Sequence, residues 1–167
     1  MRIGLLSDTH SFLPEAIFDY FADCDEIWHA GDVGDPAVLD RLEAFKPVRG
    51  VYGNIDGRDI RARLPLNEIF EVAGLRVLIT HIGGYPGRYV PRVRKLLDEH
   101  QPGLYICGHS HILKVMMDQK RGVLHMNPGA CGNHGFHRMR TIIRFRIEAG
   151  KVDGVEVIEL GRRGGDI

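Results

Sequence analysis

The sequence predicts an α/β fold in which two β-sheets pack together with helices outside them. Three observations lead there. Short apolar runs alternate with amphipathic stretches over the first two thirds of the chain. Four strand-like runs with tight turns fill the last third. The 167 residues, 44% of them hydrophobic, suffice for one core without disulfides and are too few for two.

Residues 3–6 read as a buried strand. Residues 13–24 read as a helix with Pro14 in its first turn and Ile17, Phe18 and Phe21 on one face. A second strand covers 26–30. A second helix covers 36–45, with Asp35 as its cap and Val38, Leu39 and Leu42 inward. A third strand spans 48–52, and 67–72 with 75–80 form a hairpin around Ala73-Gly74. A third helix over 89–100 leads into a strand at 104–107. Strands at 113–118, 123–126, 140–147 and 152–159 complete the chain, turning at Lys120-Arg121-Gly122 and Ala149-Gly150-Lys151. One domain is expected over 1–160, followed by a flexible tail at 161–167.

Charge and cysteine usage narrow the function classes. Lys plus Arg and Asp plus Glu are 22 each, so the formal net charge is zero. That argues against a broad basic face for nucleic acid or anionic membrane. Cys24, Cys107 and Cys131 are odd in number, widely spaced and without a CxxC, which suggests neither a disulfide framework nor a thiolate zinc site. They read as small core residues. The N-terminus turns polar at Ser7-Asp8, too early for a signal peptide, and no run approaches the ~20 apolar residues of a membrane span. A cytoplasmic protein is expected. Nine histidines are the unusual feature of the composition.

The informative pattern lies just past the end of each strand. Asp8-Thr9-His10 comes after the first, Gly31-Asp32 after the second and Gly53-Asn54 after the third. His81 succeeds the hairpin, and Gly108-His109-Ser110-His111 succeeds the strand at 104–107. In open α/β sheets, ligands bind at the carboxyl ends of strands, so the five segments should converge. Any one of these residues alone reads as a cap or turn residue; five at five strand ends do not. The i, i+2 spacing of Asp8/His10 and of His109/His111 predicts paired side chains on one side of an extended backbone. Gly31, Gly53 and Gly108 precede donor residues where tight turns are needed. Two Asp, one Asn and four His are too many donors for one tetrahedral zinc and suit two five- or six-coordinate ions. Two such ions would activate water and clamp a phosphoryl group.

These blocks, with Ile55-Asp56 completing the third, resemble in order the five motifs of the calcineurin-like metallophosphoesterases. The short length and Asn127-Pro128-Gly129 resemble the small YfcE-type phosphodiesterase branch, over roughly residues 1–148. The resemblance implies a four-layer αββα sandwich of two mixed sheets with a dinuclear centre at its edge. It implies that Asp8, His10 and His111 hold one divalent metal, that Asn54, His81 and His109 hold the other, and that Asp32 bridges them. A metal-bridging hydroxide would attack phosphorus in line, with Asn54 stabilising the developing charge. Manganese is the preferred metal, with Ni, Fe, Co or Zn as alternatives. The substrate implied is a small, nucleotide-derived phosphodiester. Alternatives are a phosphomonoesterase or dinucleoside polyphosphate hydrolase on the same centre, and a protein-binding scaffold like the retromer subunit that shares the fold. A homo-oligomer is left open.

One position departs from the wider family. Many members carry a general-acid histidine after the Asn of the third block, where this chain has Ile55; the YfcE-type branch also lacks it. A general acid contributes ~10²–10⁴-fold, so esters with good leaving groups should be cleaved much faster than alkyl esters. His134 and His137, in a loop with Gly132 and Gly135, are candidates for an acid or a substrate contact. His29 reads as packed in its strand, and His100 and His125 have no pattern behind them. Asp56 would orient the missing histidine, so its role is open. Arg58, Arg61 and Arg63, and Arg88, Arg92, Arg94 and Lys95, are candidates for steering an anion. Ile55 and the segments 83–88 and 132–137 should wall the pocket.

Overall fold

The apolar alternation of the first strand sets up the layers. In the computed structural model, which describes residues 1–165, β1 (Arg2–Leu6) sends Ile3 and Leu5 to one side and Leu6 to the other. A strand apolar on both faces must be covered on both. Ile3 and Leu5 join Trp28, Val77, Ile106 and Phe145 in the cluster between two sheets. Leu6 packs among residues of three helices, α1 (Ala16–Tyr20), α2 (Pro36–Phe45) and α3 (Arg58–Arg63), including Ile17, Leu39 and Ile60. A third cluster seats α4 (Pro91–His100) on the far sheet through Val93 and Leu97 against Leu78 and Tyr105. The order is helices, sheet, sheet, helix: the expected αββα sandwich.

The first sheet runs β10-β9-β1-β2-β3, where β2 is Glu26–His29, β3 is Val48–Gly50, β9 is Met139–Glu148 and β10 is Lys151–Arg162. β1, β2 and β3 are parallel, and β9 is antiparallel to both β1 and β10. The second sheet runs β4-β5-β6-β8-β7, with β4 Asn67–Val72, β5 Leu75–Thr80, β6 Leu104–Ile106, β7 Leu113–Asp118 and β8 Val123–Pro128. Its centre β5-β6-β8 is parallel and its two outer pairs antiparallel. The β-rich last third is therefore divided, one hairpin to each sheet.

Several boundaries differ from the sequence reading. The helix expected over 13–24 is regular only at Ala16–Tyr20. Around it, Ile17 N–H reaches Pro14 O and Cys24 N–H reaches Phe21 O, tighter i→i+3 turns that bring the chain back to β2. The third strand ends at Gly50 because Tyr52 N–H bonds to Pro65 O instead of the sheet. α4 starts at Pro91, since the residue before a proline, Val90, is held extended at φ −64°, ψ 148°. α3 has no counterpart in the sequence reading, because only Ile60 of its six residues is buried and no apolar period marks it. β10 continues past the expected boundary at 160: Gly161 and Arg162 pair with Arg140 and Met139. Residues 166 and 167 of the expected tail lie outside the described residues.

Candidate metal centre

The carboxyl ends of β1, β2, β3, β5 and β6 meet at one edge of the sandwich, and the five polar segments arrive there together. Asp8 N–H bonds to Gly31 O at 2.9 Å and His10 N–H to Asp32 O at 3.1 Å, so the loops after β1 and β2 are tied backbone to backbone. Asp8 Oδ2 accepts from Ser7 Oγ at 2.6 Å and from His109 N–H at 3.2 Å, which ties β1 to the loop after β6. Asp32 Oδ1 accepts from Ile55 N–H at 3.1 Å.

The remaining acceptor atoms point at one another. His111 Nε2 lies 3.1 Å and His10 Nε2 3.8 Å from Asp8 Oδ1. Asp32 Oδ2 sits 3.1 Å from His81 Nε2 and 3.5 Å from His10 Nε2, between the two halves of the cluster. Asn54 Oδ1 is 3.1 Å from His81 Nε2 and 3.0 Å from His109 Nδ1. Two groups have ligand atoms within 4.8 Å of one another: Asp8, His10 and His111, and Asp32, His81 and His109. Asp8 Oδ1 and His10 Nε2 are buried without a hydrogen-bond partner, the condition a bound cation would relieve. His81 donates Nδ1–H to Ala30 O at 2.7 Å, since a carbonyl can only accept. In the neutral ring this leaves Nε2 as an acceptor, the arrangement usual for metal-ligating imidazoles. The donor set, oxygen and nitrogen without thiolate, fits divalent ions.

The local backbone differs from expectation. Asp8, His10, Asp32, His109 and His111 do not lie on extended backbone: their φ values are +54°, +44°, +57°, +69° and +58°. Non-glycine residues in this region are uncommon and cost of order 1–3 kcal/mol each, so five at one edge are held by their surroundings. Gly31 shares that conformation at φ +100°. Gly53 is required for a different reason: a Cβ there would collide with Asp32 Oδ1 and its backbone N.

Two buried side chains hold the loops from beneath. His29 accepts Gly31 N–H on Nδ1 at 3.1 Å, so Nε2 carries the proton and donates to Thr9 Oγ1 at 3.0 Å, which in turn donates to Val33 O at 2.8 Å. Burial holds His29 near pKa 4, a neutral packed residue as read from the sequence. Asp56, whose role the sequence leaves open, accepts three backbone N–H groups: Val33 at 3.1 Å, Gly34 at 2.8 Å and Gly53 at 2.7 Å. It fastens the loop after β2 to the loop after β3. Its position three residues after Gly53 is the only sequence sign of this.

A cleft of 520 Å³ opens over the donor residues. His134 and His137 both reach it, their rings 4.8 Å from His10 and 5.2 Å from His111. Of the expected walls, Ile55 and the 132–137 loop line the cleft, whereas Gly83, Gly84 and Tyr85 wall a neighbouring cavity of 240 Å³. No Arg or Lys lines the cleft among the described residues. Arg63 is paired with Asp40 and Glu43 at 2.8 and 2.6 Å, while Arg61 and Arg92 line a separate cleft of 630 Å³ beside Asn54 and His81. His125 is buried against Tyr105, and burial pushes the Cys107 and Cys131 thiols up to about 12.

Known proteins are similar to this chain in sequence and in fold. A probable metallophosphoesterase of Methanothermobacter thermautotrophicus is 36% identical over 135 residues, covering 78% of this chain and 77% of that protein. A solved archaeal phosphodiesterase superposes with a TM-score of 0.77 at 25% identity, covering 96% of this chain and all of that one. Vps29 from Entamoeba histolytica, solved with zinc, gives a TM-score of 0.73 at 16% identity, covering 95% of this chain and 99% of that one, a likeness of fold. The family model for the calcineurin-like phosphoesterase superfamily domain matches residues 1–150, a span that carries all five donor segments, and the chain belongs to that superfamily.

Proposed function

We propose that the protein is a metal-dependent phosphodiesterase of a small substrate. The observation that carries this is the convergence of two donor groups, Asp8/His10/His111 and Asp32/His81/His109, with Asp8 Oδ1 and His10 Nε2 buried and unpartnered. In this reading Asp8, His10 and His111 hold one divalent ion, Asn54, His81 and His109 hold the second, and Asp32 serves both. The ions, when bound, supply an acidified water and positive charge for the phosphoryl oxygens. Manganese is the preferred metal, on a donor set without sulfur. Asn54, whose Oδ1 faces His81 and His109, keeps Nδ2–H to donate to a phosphoryl oxygen as charge develops there.

No Lys or Arg lines the donor cleft itself, which favours the singly charged phosphate of a diester there over a dianionic monoester; Arg61 and Arg92 stand in the adjoining cleft beside Asn54 and His81. Ile55 offers no proton to the leaving group. Of the two loop histidines, His137 has Nε2 committed to Gly132 O at 2.8 Å, so His134 is the better substrate contact. Three free, buried cysteines accord with a reducing, cytoplasmic setting.

A metal titration read by hydrolysis of bis-p-nitrophenyl phosphate tests the reading. Activity should rise with two bound ions, be highest with Mn²⁺, and fall at least 100-fold in His109→Ala. Binding of two ions with no hydrolysis of any phosphoester would support the scaffold instead. Equal rates on aryl and alkyl diesters would remove the inference from Ile55.

A further inference from the structure

Three large apolar side chains stand exposed on the rim of the donor cleft: Ile55 at 46%, Ile112 at 60% and Phe136 at 102% relative exposure. A single exposed apolar residue is ordinary on a protein surface, but three around one cleft make a patch. They come from three different segments, the loops after β3 and β6 and the loop before β9, so no local sequence run explains them.

The segment that carries Phe136 is pinned rather than loose. His134 lies on His10, and His137 lies edge-on to His111 while donating to Gly132 O. Arg163 Nε donates to His137 O at 2.9 Å, and Gly164 N–H to Asn133 Oδ1 at 3.0 Å. Gly135, at φ +123°, lies so close to the His111 ring that a Cβ would collide with it. Phe136 is thus presented by a loop packed onto the donor residues themselves.

We propose that Ile55, Ile112 and Phe136 form an apolar rim that receives a flat, uncharged aromatic substituent of the phosphoester, an aryl or nucleobase-like group. The inference rests on the phosphodiesterase reading and specifies its substrate class. Flatness follows from the Phe136 ring, since aromatic groups stack on an exposed ring with sequence-tolerant affinity. Lack of charge follows from the rim, since no Lys or Arg lines the cleft beside Ile55, Ile112 and Phe136. Arg61 and Arg92 stand instead in the adjoining cleft beside Asn54, and Lys114 lies over the Tyr85 ring. The phosphate itself lies over the donor residues, one ester group reaching the rim.

The test compares bis-p-nitrophenyl phosphate with methyl p-nitrophenyl phosphate, which share a leaving group and differ in the group left on phosphorus. The ratio of their kcat/KM values, taken in the wild-type protein and in Phe136→Ala, cancels the intrinsic difference in reactivity. The ratio should fall roughly tenfold in Phe136→Ala and be retained in Phe136→Trp. In parallel, calorimetric titration of the metal-loaded protein with phenylphosphonate and methylphosphonate, neither of which is hydrolysed, should show the same loss of aromatic preference. An unchanged preference in Phe136→Ala overturns the rim, as does failure of phenylphosphonate to bind the metal-loaded wild type. A protein that turns over neither ester overturns the phosphodiesterase reading, and the phosphonate titration still decides the rim.

Discussion

His125 illustrates how burial alone sets a residue's chemistry. It stacks on Tyr105 with ring centroids 4.9 Å apart, and its Nδ1 is buried without a partner. Burial, only partly offset by a hydrogen bond with the Tyr105 backbone, lowers its pKa from 6.5 to about 4. Between those values the unfolded chain binds a proton that the folded chain refuses, so stability is full above pH 6.5 and is lost as pH falls toward 4. At 1.36 kcal/mol per unit, this one group withdraws about 3 kcal/mol over the whole window. His29, held near pKa 4 in the same way, steepens the same limb. In His125→Phe, urea midpoints measured from pH 7.5 to 4.5 should therefore fall less steeply than in the wild type. An identical slope would mean that His125 already titrates normally in the folded protein. Nothing near His125 in the sequence announces this, because burial comes from a strand register, Tyr105 against His125, that one chain's composition does not encode.

At the scale of elements, the strand ends are legible in the sequence and the turns beyond them are not. Asp, Asn and His after five apolar runs are visible by residue type alone, and the hairpin at Asn67–Val72 and Leu75–Thr80 and the helix at Pro36–Phe45 stand at the expected bounds. The backbone after β1 and β6 reads as extended in the sequence and is not, because spacing cannot distinguish an extended pair from two left-handed residues. Long-range contacts decide it: Asp8 and His10 bond to the loop after β2, and His109 N–H bonds to Asp8. Asp56 belongs to this level too, for it joins two loops through three N–H groups, those of Val33 and Gly53 buried and that of Gly34 partly so. A buried donor left without its acceptor costs about 1–3 kcal/mol. Allowing for water reaching part of the gap, Asp56→Ala should destabilise the protein by roughly 3 kcal/mol. It should also weaken metal binding by freeing Asp32, while Asp56→Asn, which keeps one acceptor oxygen, should lose less of both. Equilibrium unfolding with a metal titration on each variant checks this. A stable Asp56→Ala with unchanged metal affinity would show that the loops hold without the clamp.

Across the whole molecule, the candidate metal centre draws on both sheets. Asp8, His10, Asp32 and Asn54 follow strands of the first sheet, and His81, His109 and His111 follow strands of the second. Elsewhere the sheets meet through non-directional packing of side chains such as Trp28, Val77 and Phe145 and through a few hydrogen bonds, Gly50 N–H to Glu68 Oε2 at 2.8 Å and Thr141 Oγ1 to Pro128 O at 2.6 Å. Ions held by donors from both sides would cross-link the sandwich at this edge, and the unfolded chain, with its donors scattered from residue 8 to residue 111, offers no such site. Binding is then stabilisation: each ion at 100 times its Kd adds about 2.7 kcal/mol, so two add about 5 kcal/mol. For a chain of this length that corresponds to a rise in Tm of roughly 15 °C. Saturating Mn²⁺ should produce such a rise and EDTA should reverse it. His109→Ala, which removes an exposed ring from the second sheet's side, should leave the metal-free Tm nearly unchanged and lose about half of the increment, the second ion's share. His100→Ala, at the end of α4, should behave as the wild type. If His109→Ala keeps the full increment, the ions bind elsewhere, and the two sheets are held without them by packing and by bonds such as Gly50 N–H to Glu68.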